Sequence, residues 1–291
     1  MKIIAYIFTY NRKIILQKCL ETVLKENCSK FTEINIIDDC SEKDIKYSLL
    51  DFSIRNSNTL PINIYLKNRR IGHLDSFKLA YNSLKAKNTD IVFFVESDYI
   101  FRSNYLDDVI NIFNANPYCL AIPATSHPDY HSDSQIKDLF PRVMREHLGE
   151  DIPERDLYFK SFYQEINNKT YKLQGVTNSC GCFFLNYKLL KTIFNDEVFG
   201  NEFENKLDSS MESIINGVPM LNDGNFTSTL TYYWSKWAYE LGLDMTKNFA
   251  WLDMCSNSIG THKCFGGING MFPGLKEGDS FVDSPVWIGE D

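Results

Sequence analysis

IVFFVESDYIF, residues 91–101, runs five apolar residues into Glu96, Ser97 and Asp98 and then turns apolar again. The β-branched and aromatic run reads as a buried strand, and the polar residues that follow mark its end. A chain that could simply continue the strand instead sets two carboxylates two residues apart. Both can face one rim where the backbone leaves extended geometry. Two hard oxygen donors near one point suit a divalent cation such as Mg²⁺ or Mn²⁺, which would complete its shell with water and phosphate oxygens.

The segments before it repeat the pattern. KIIAYIFTY (2–10) reads as a strand, and ILQKCLETVLK (15–25) as a helix with Ile15, Cys19, Thr22 and Val23 at helical spacing. EINIIDDCS (33–41) is a strand ending in two aspartates, and KDIKYSLLDFSI (43–54) a helix. LPINIYLK (60–67) is a third strand. HLDSFKLAYNSLKA (73–86) is a helix with Leu74, Phe77, Tyr81 and Leu84 along one side. Strand and helix in alternation predict an α/β fold, a mostly parallel central sheet flanked by helices. Ligands in such sheets sit beyond the carboxyl ends of the strands.

The polar residues obey that rule. Thr9, Tyr10, Asn11 and Arg12 end the first strand, and Asp38 and Asp39 the second. Lys67, Asn68, Arg69 and Arg70 follow the third, and Glu96 and Asp98 end the fourth. Taken singly, Asp and Asn in turns are ordinary caps. Four such clusters on one edge predict a site, for which a metal and a diphosphate are the working expectation.

Composition bounds the rest. The 291 residues carry 44% apolar and 23% charged side chains, ordinary globular values. A formal charge of −8 argues against broad binding to nucleic acid or anionic membrane. No stretch approaches the roughly 18 apolar residues of a membrane span, and MKIIAYIFTYNR does not read as a signal peptide. Eight cysteines in a chain of this size are expected as reduced thiols, which implies a soluble, cytoplasmic protein. Cys180 and Cys182 form a C-x-C without C-x-x-C partners, so no zinc site is expected.

FTYNR (8–12), IIDDCS (36–41), NRRIGHLDSFKLAYNSLK (68–85) and FFVESDYIF (93–101) together resemble the nucleotide-sugar-dependent glycosyltransferases of the GT-A fold, in particular the family 2-like group. The chain departs from that pattern twice: Glu96 stands where the family usually has aspartate, and Cys40 where it commonly has glycine. The resemblance implies that Thr9 and Asp39 contact the nucleotide base, Arg70 or its neighbour the ribose-phosphate region, Glu96 the ribose or metal, and Asp98 the metal. Tyr10, Asn11, Arg12 and Asp38 belong to the same nucleotide-sugar-binding set.

It further implies a donor half at 1–115 and an acceptor-binding and lid half at 116–291 of one GT-A domain. Between 117 and 172 five prolines break any regular period, and His127 and His131 read as loop residues. LQGVTNSCGCFFLNYKLLKTI (173–193) reads as loop, strand and helix. FGNEFENKLDSSMESIINGVPML (199–221) carries Glu202, Glu204, Asp208 and Glu212 ahead of Gly217. Family enzymes open a helix with an acidic cluster before such a glycine, and one acid takes the proton of the acceptor hydroxyl; Asp208 aligns best and Glu204 second. His262 would be a further metal ligand and Lys263 a diphosphate contact, in a glycine-rich segment over 260–278 that reads as a lid. TYYWSKWAYELGL (231–243) is expected to fill a core or an interface with its aromatics.

The expected activity is metal-dependent transfer of a sugar, with inversion, from a UDP-linked or other nucleotide diphosphate donor to a hydroxyl acceptor such as a glycan, a lipid-linked glycan, a protein or modified nucleic acid. The alternatives are a sugar-nucleotide nucleotidyltransferase, whose glycine-rich loop FTYNRK lacks, and a non-catalytic nucleotide- or carbohydrate-binding module. No G-x-G-x-x-G follows any strand, which argues against a dinucleotide dehydrogenase.

Overall fold

The computed structural model describes residues 1–25, 29–124, 161–176, 181–215, 217–244, 247–255, 260–264 and 282–283. In chain order the elements are β1 (Ile3–Thr9), α1 (Ile14–Leu24), β2 (Glu33–Asp38), α2 (Lys43–Asn56), β3 (Ile62–Leu66), α3 (His73–Lys85), β4 (Ile91–Glu96), β5 (Tyr99–Phe101) and α4 (Tyr105–Ala115). There follow β6 (Ala121–Pro123), β7 (Phe162–Ile166), β8 (Lys169–Val176), β9 (Phe183–Asn186), α5 (Tyr187–Phe194) and α6 (Gly200–Ser210). The last are β10 (Glu212–Ile215), β11 (Val218–Leu221), α7 (Asp223–Glu240), β12 (Trp251–Asp253), β13 (Gly260–Cys264) and β14 (Val282–Asp283).

The chain forms two compact units, one of residues 1–107, 212–221 and 259–284, the other of 108–211, 222–258 and 285–291. In the first, the strands lie in the order β3-β2-β1-β4, all parallel, as the alternation predicts. Every residue of β1 is buried because the strand is paired on both edges and its faces are covered, which is why IIAYIFT shows no polar alternation. Phe8, Phe77 and Phe94 pack at ring-centroid separations of 4.9–6.4 Å, so α3 seals one face of β1 and β4. The apolar stripe of α1, Ile15, Leu16, Cys19, Leu20 and Val23, is also buried.

The register brings the strand ends level: Thr9 lies opposite Asp38, and Phe8 opposite Glu96. Beyond β4 the chain turns into β5, which pairs antiparallel with β13, and β13 with β14. The hairpin β10–β11 belongs to this unit too and packs on α3, where Lys78 Nζ meets Glu212 Oε2 at 2.5 Å. The helix that carries Glu202, Glu204 and Asp208 stops at Ser210, and Gly217 serves the hairpin turn at φ +78°.

In the second unit the strands run β9-β6-β12-β8-β7, antiparallel except for β6 beside β12. Along α7, Tyr233, Trp234 and Trp237 are buried, the core role expected of them, whereas Tyr239 is 45% exposed. Trp234 Nε1 donates to the Tyr118 carbonyl at 2.7 Å, and Trp251 Nε1 to Thr231 Oγ1 at 3.0 Å, so both indole donors are satisfied. Among the described residues no helix is long and apolar enough to cross a membrane. His127, His131, Cys180 and most of the 260–278 segment lie outside the described residues.

Candidate donor site

The rim at the carboxyl ends of β1, β2 and β4 is tied together by loop-to-loop hydrogen bonds. Asn11, at φ +47°, donates its backbone N–H to Ser41 Oγ at 2.8 Å and accepts from the Glu42 N–H on Oδ1 at 2.8 Å. Asp38 Oδ2 accepts from the Ser41 N–H at 3.0 Å, closing the turn that holds Cys40 at φ +68°. Cys40 thus adopts the left-handed conformation that favours glycine, because the two Ser41 contacts hold the loop in it. Ser41 was not singled out in the sequence; its place two residues after the paired aspartates is the signal that could have found it.

Among the described residues, the buried oxygens of this rim that lack a hydrogen-bond partner include Thr9 Oγ1 and Asp38 Oδ1. They belong to residues that lie opposite each other on neighbouring strands. A buried polar atom without a partner is costly, so the pair points to a group supplied from outside the chain.

Asp39 has a different employment. Its Oδ1 accepts from the Ile71 N–H at 3.0 Å and from Lys67 Nζ at 3.2 Å, and its Oδ2 from the Gly72 N–H at 2.8 Å. Gly72, at φ +108°, is the N-cap residue of α3 and has no side chain to offer, so Asp39 supplies the anion that the helix start favours. Lys67 also meets Asp75 Oδ2 and Ser76 Oγ, each at 2.8 Å. The β3–α3 loop is therefore fixed, and Arg70 lies with its guanidinium 4.2 Å from the centre of the Tyr10 ring. Neither the anchoring by Asp39 nor the half-buried position of Lys67 follows from sequence spacing.

At the end of β4, Asp98 is buried and forms an ion pair with Arg12. Glu96 is more exposed, and its Oε1 lies 3.7 Å from His73 Nδ1. His73, which stacks obliquely on Phe8 at 5.1 Å, was missed in the sequence. Beneath them Cys19 Sγ faces the Glu96 carbonyl at 3.9 Å. Burial, followed by the Asp98 charge, pushes its thiol far up from the ordinary value.

Among the described residues, Glu96 and Asp98 do not by themselves form a ready cation site. A Mg²⁺ or Mn²⁺ ion wants several oxygen ligands around it, with waters completing the shell. Asp98 is instead engaged by a guanidinium and Glu96 faces an imidazole. Among the described residues no group of three His, Cys, Asp or Glu could hold a metal. His262, the third ligand expected from the resemblance, lies on β13 directly opposite Tyr99, and Lys263 opposite Asp283. The side chains of His262 and Lys263 lie outside the described ones.

The acceptor-side candidates lie on α6 in the second unit. Glu204 is half-buried and Asp208 exposed, four residues apart on one side of the helix. Their neighbour Glu202 accepts from Tyr233 Oη at 2.7 Å, and Glu212 is on β10 instead of the helix.

A family model described as glycosyl transferase family 2 matches residues 5–194. The chain belongs to glycosyl transferase family 2. Among solved structures, GalNAc-T7 with UDP, GalNAc and Mn²⁺ is 12% identical with a TM-score of 0.51, covering 87% of this chain and 42% of that one. S. aureus TarS 1-349 in complex with UDP-GlcNAc is 18% identical with a TM-score of 0.42, covering 66% of this chain and 47% of that one. The mannosyltransferase PcManGT from Pyrobaculum calidifontis in complex with GDP-Man and Mn²⁺ is 12% identical with a TM-score of 0.43, covering 76% and 54%. The family 2 chain spans about half the length of these solved chains. The fold is of the GT-A type. No curated protein matches the chain.

Proposed function

We propose that this chain is a glycosyltransferase that takes a sugar from a nucleotide diphosphate donor, UDP-linked in the first instance, and moves it to a hydroxyl acceptor. The observation that carries the reading is the polar rim of a family 2 chain. There two buried oxygens, Thr9 Oγ1 and Asp38 Oδ1, lack hydrogen-bond partners among the described residues, beside a basic loop held in place by Asp39. A hydroxyl and a carboxylate oxygen side by side suit the adjacent carbonyl and N–H of a uracil edge. Arg70, over the Tyr10 ring, is the proposed ribose-phosphate contact.

In the reaction, the acceptor oxygen attacks the anomeric carbon while the bond from that carbon to the diphosphate oxygen breaks. The electron pair leaves with the nucleotide, and the hydroxyl proton passes to a carboxylate; a single displacement of this kind inverts the anomeric centre. Asp208, with Glu204 second, is the proposed base, supported by the resemblance and by its exposure to solvent. Residues 1–115 would serve the donor and 116–291 the acceptor and lid, with a cytoplasmic glycan, lipid-linked glycan, protein or modified nucleic acid as acceptor.

Release of UDP from a panel of UDP-sugars, compared with GDP- and dTDP-linked ones, tests the reading. Turnover with at least one UDP-sugar is expected, and Asp208→Asn should lower kcat by about 100-fold while leaving UDP affinity in place. Binding of UDP without turnover of any donor, with or without added acceptor sugars, would favour a non-catalytic module.

A further inference from the structure

The two aspartates at the end of β2 are neighbours in the chain, yet their carboxylates are engaged in opposite ways. Asp39 has both oxygens in use, Oδ1 on the Ile71 N–H at 3.0 Å and on Lys67 Nζ at 3.2 Å, and Oδ2 on the Gly72 N–H at 2.8 Å. Asp38 Oδ2 accepts from the Ser41 N–H at 3.0 Å. Its Oδ1 is buried and lacks a hydrogen-bond partner among the described residues, as does Thr9 Oγ1 opposite it on β1.

The backbone explains the difference. The Asp39 N–H continues the ladder to the Thr9 carbonyl at 2.9 Å, so extended chain runs through both aspartates, and successive side chains of extended chain leave it on opposite sides. Asp38 stays beside Thr9 and Ser41, whereas Asp39 turns to the start of α3. There it grips the basic loop at both ends, through Lys67 and through the amides of Ile71 and Gly72. Arg70, the residue before Ile71, lies 4.2 Å from the centre of the Tyr10 ring.

We infer that the two acids divide the donor between them: Asp38 discriminates the base, and Asp39 holds Arg70 in place for the diphosphate instead of making the base contact that the resemblance implies for it. The inference rests on the nucleotide-sugar reading above. A carboxylate oxygen only accepts, so Asp38 Oδ1 suits the N3–H of uracil and opposes cytosine, which has a lone pair at N3. Asp39 acts through the loop as a positioning residue, since its own oxygens are spent on amides and an ammonium group.

Calorimetric titration of UDP and CDP into the full chain, with Mn²⁺ present throughout, tests the division. Wild type should prefer UDP by at least about tenfold, because cytosine leaves the buried acceptor unpaired. In Asp38→Asn the Ser41 N–H holds the amide oxygen at the Oδ2 position, which turns the Nδ2 donor to where Oδ1 stood. That variant should lose the preference for UDP or reverse it. Asp39→Asn should weaken UDP and CDP alike, by roughly 5- to 20-fold, with the ratio between them kept within about threefold. Arg70→Gln, at an exposed position, should show the same pattern. The double variant Asp39→Asn/Arg70→Gln should bind within about threefold of Arg70→Gln alone, because the acid works through the arginine.

A changed ratio of UDP to CDP in Asp39→Asn makes Asp39 a base contact and overturns the inference. So do full additivity in the double variant, an unchanged UDP preference in Asp38→Asn, and equal affinity of wild type for UDP and CDP. Each of these leaves the nucleotide reading intact. Failure of wild type to bind either diphosphate overturns both.

Discussion

At Cys40 the backbone sits at φ +68°, where a Cβ crowds the neighbouring carbonyl at a cost of about 1–2 kcal/mol. Replacing it with glycine relieves that strain but adds about 0.5–1 kcal/mol of chain entropy to the unfolded state. Cys40→Gly should therefore be neutral or stabilising by up to about 1 kcal/mol, and Cys40→Val destabilising by about 1–2 kcal/mol, because a β-branched residue fits the left-handed region worst. Urea midpoints of the three proteins check this; a valine variant as stable as wild type would show that the loop relaxes. Here sequence and structure part company instructively. The sequence shows that the glycine is absent, but not that the turn survives, because Ser41 bonds to Asn11 only once the two loops meet. The pairing of Arg12 with Asp98 escapes a linear reading for the same reason: each residue has an ordinary local explanation as a turn residue, and only the parallel register sets them side by side.

At the scale of elements, the strands β1 to β4 and their helices were legible because long apolar runs and helical stripes reflect burial on both faces of the sheet. The hairpin β10–β11 was not. The acidic spacing from Glu202 to Glu212 suits a helix, but the β-branched pair Ile214–Ile215 and Pro219 favour extended chain, and packing against α3 decides in their favour. The joint between β2 and α3 was equally hidden, since Asp39 serves amides that follow a different strand. Asp39→Ala strands the Ile71 and Gly72 N–H groups and leaves Lys67 with Asp75 as its remaining acid. At about 1–3 kcal/mol for each unsatisfied group, softened by water reaching the loop, a loss of about 3 kcal/mol is expected. Hydrogen exchange localises it: the amides of Ile71 and Gly72 should exchange faster in the variant while those of β1 keep their protection. Unchanged protection at 71 and 72 would mean that the loop is held by other contacts.

For the molecule as a whole, the buried thiols set an alkaline limit on stability. Burial pushes Cys119 up to about 12 from an ordinary 9.0, and Cys255 to about 12 through burial and then the Asp253 charge; Cys19 moves in the same direction. In the unfolded chain these thiols ionise near pH 9, whereas the folded chain keeps its protons, so the folded state binds more protons above that pH and the unfolding free energy falls as pH rises. The stabilisation is whole below pH 9 and is lost progressively toward pH 12. Each such thiol adds a slope of up to about 1.4 kcal/mol per pH unit in that window. Lysines and tyrosines titrate there too, so the discriminating measurement is a difference. Urea unfolding of wild type and Cys119→Ala is compared at pH 8, 9.5 and 10.5. The variant starts lower at pH 8, since it lacks the packed sulfur and its contact with the Ala121 carbonyl at 3.3 Å. It then loses less stability with each step, so the two curves converge as pH rises. Parallel curves would mean that the Cys119 thiol titrates alike in the folded and unfolded chains, against its complete burial between β6 and the Ala250 carbonyl.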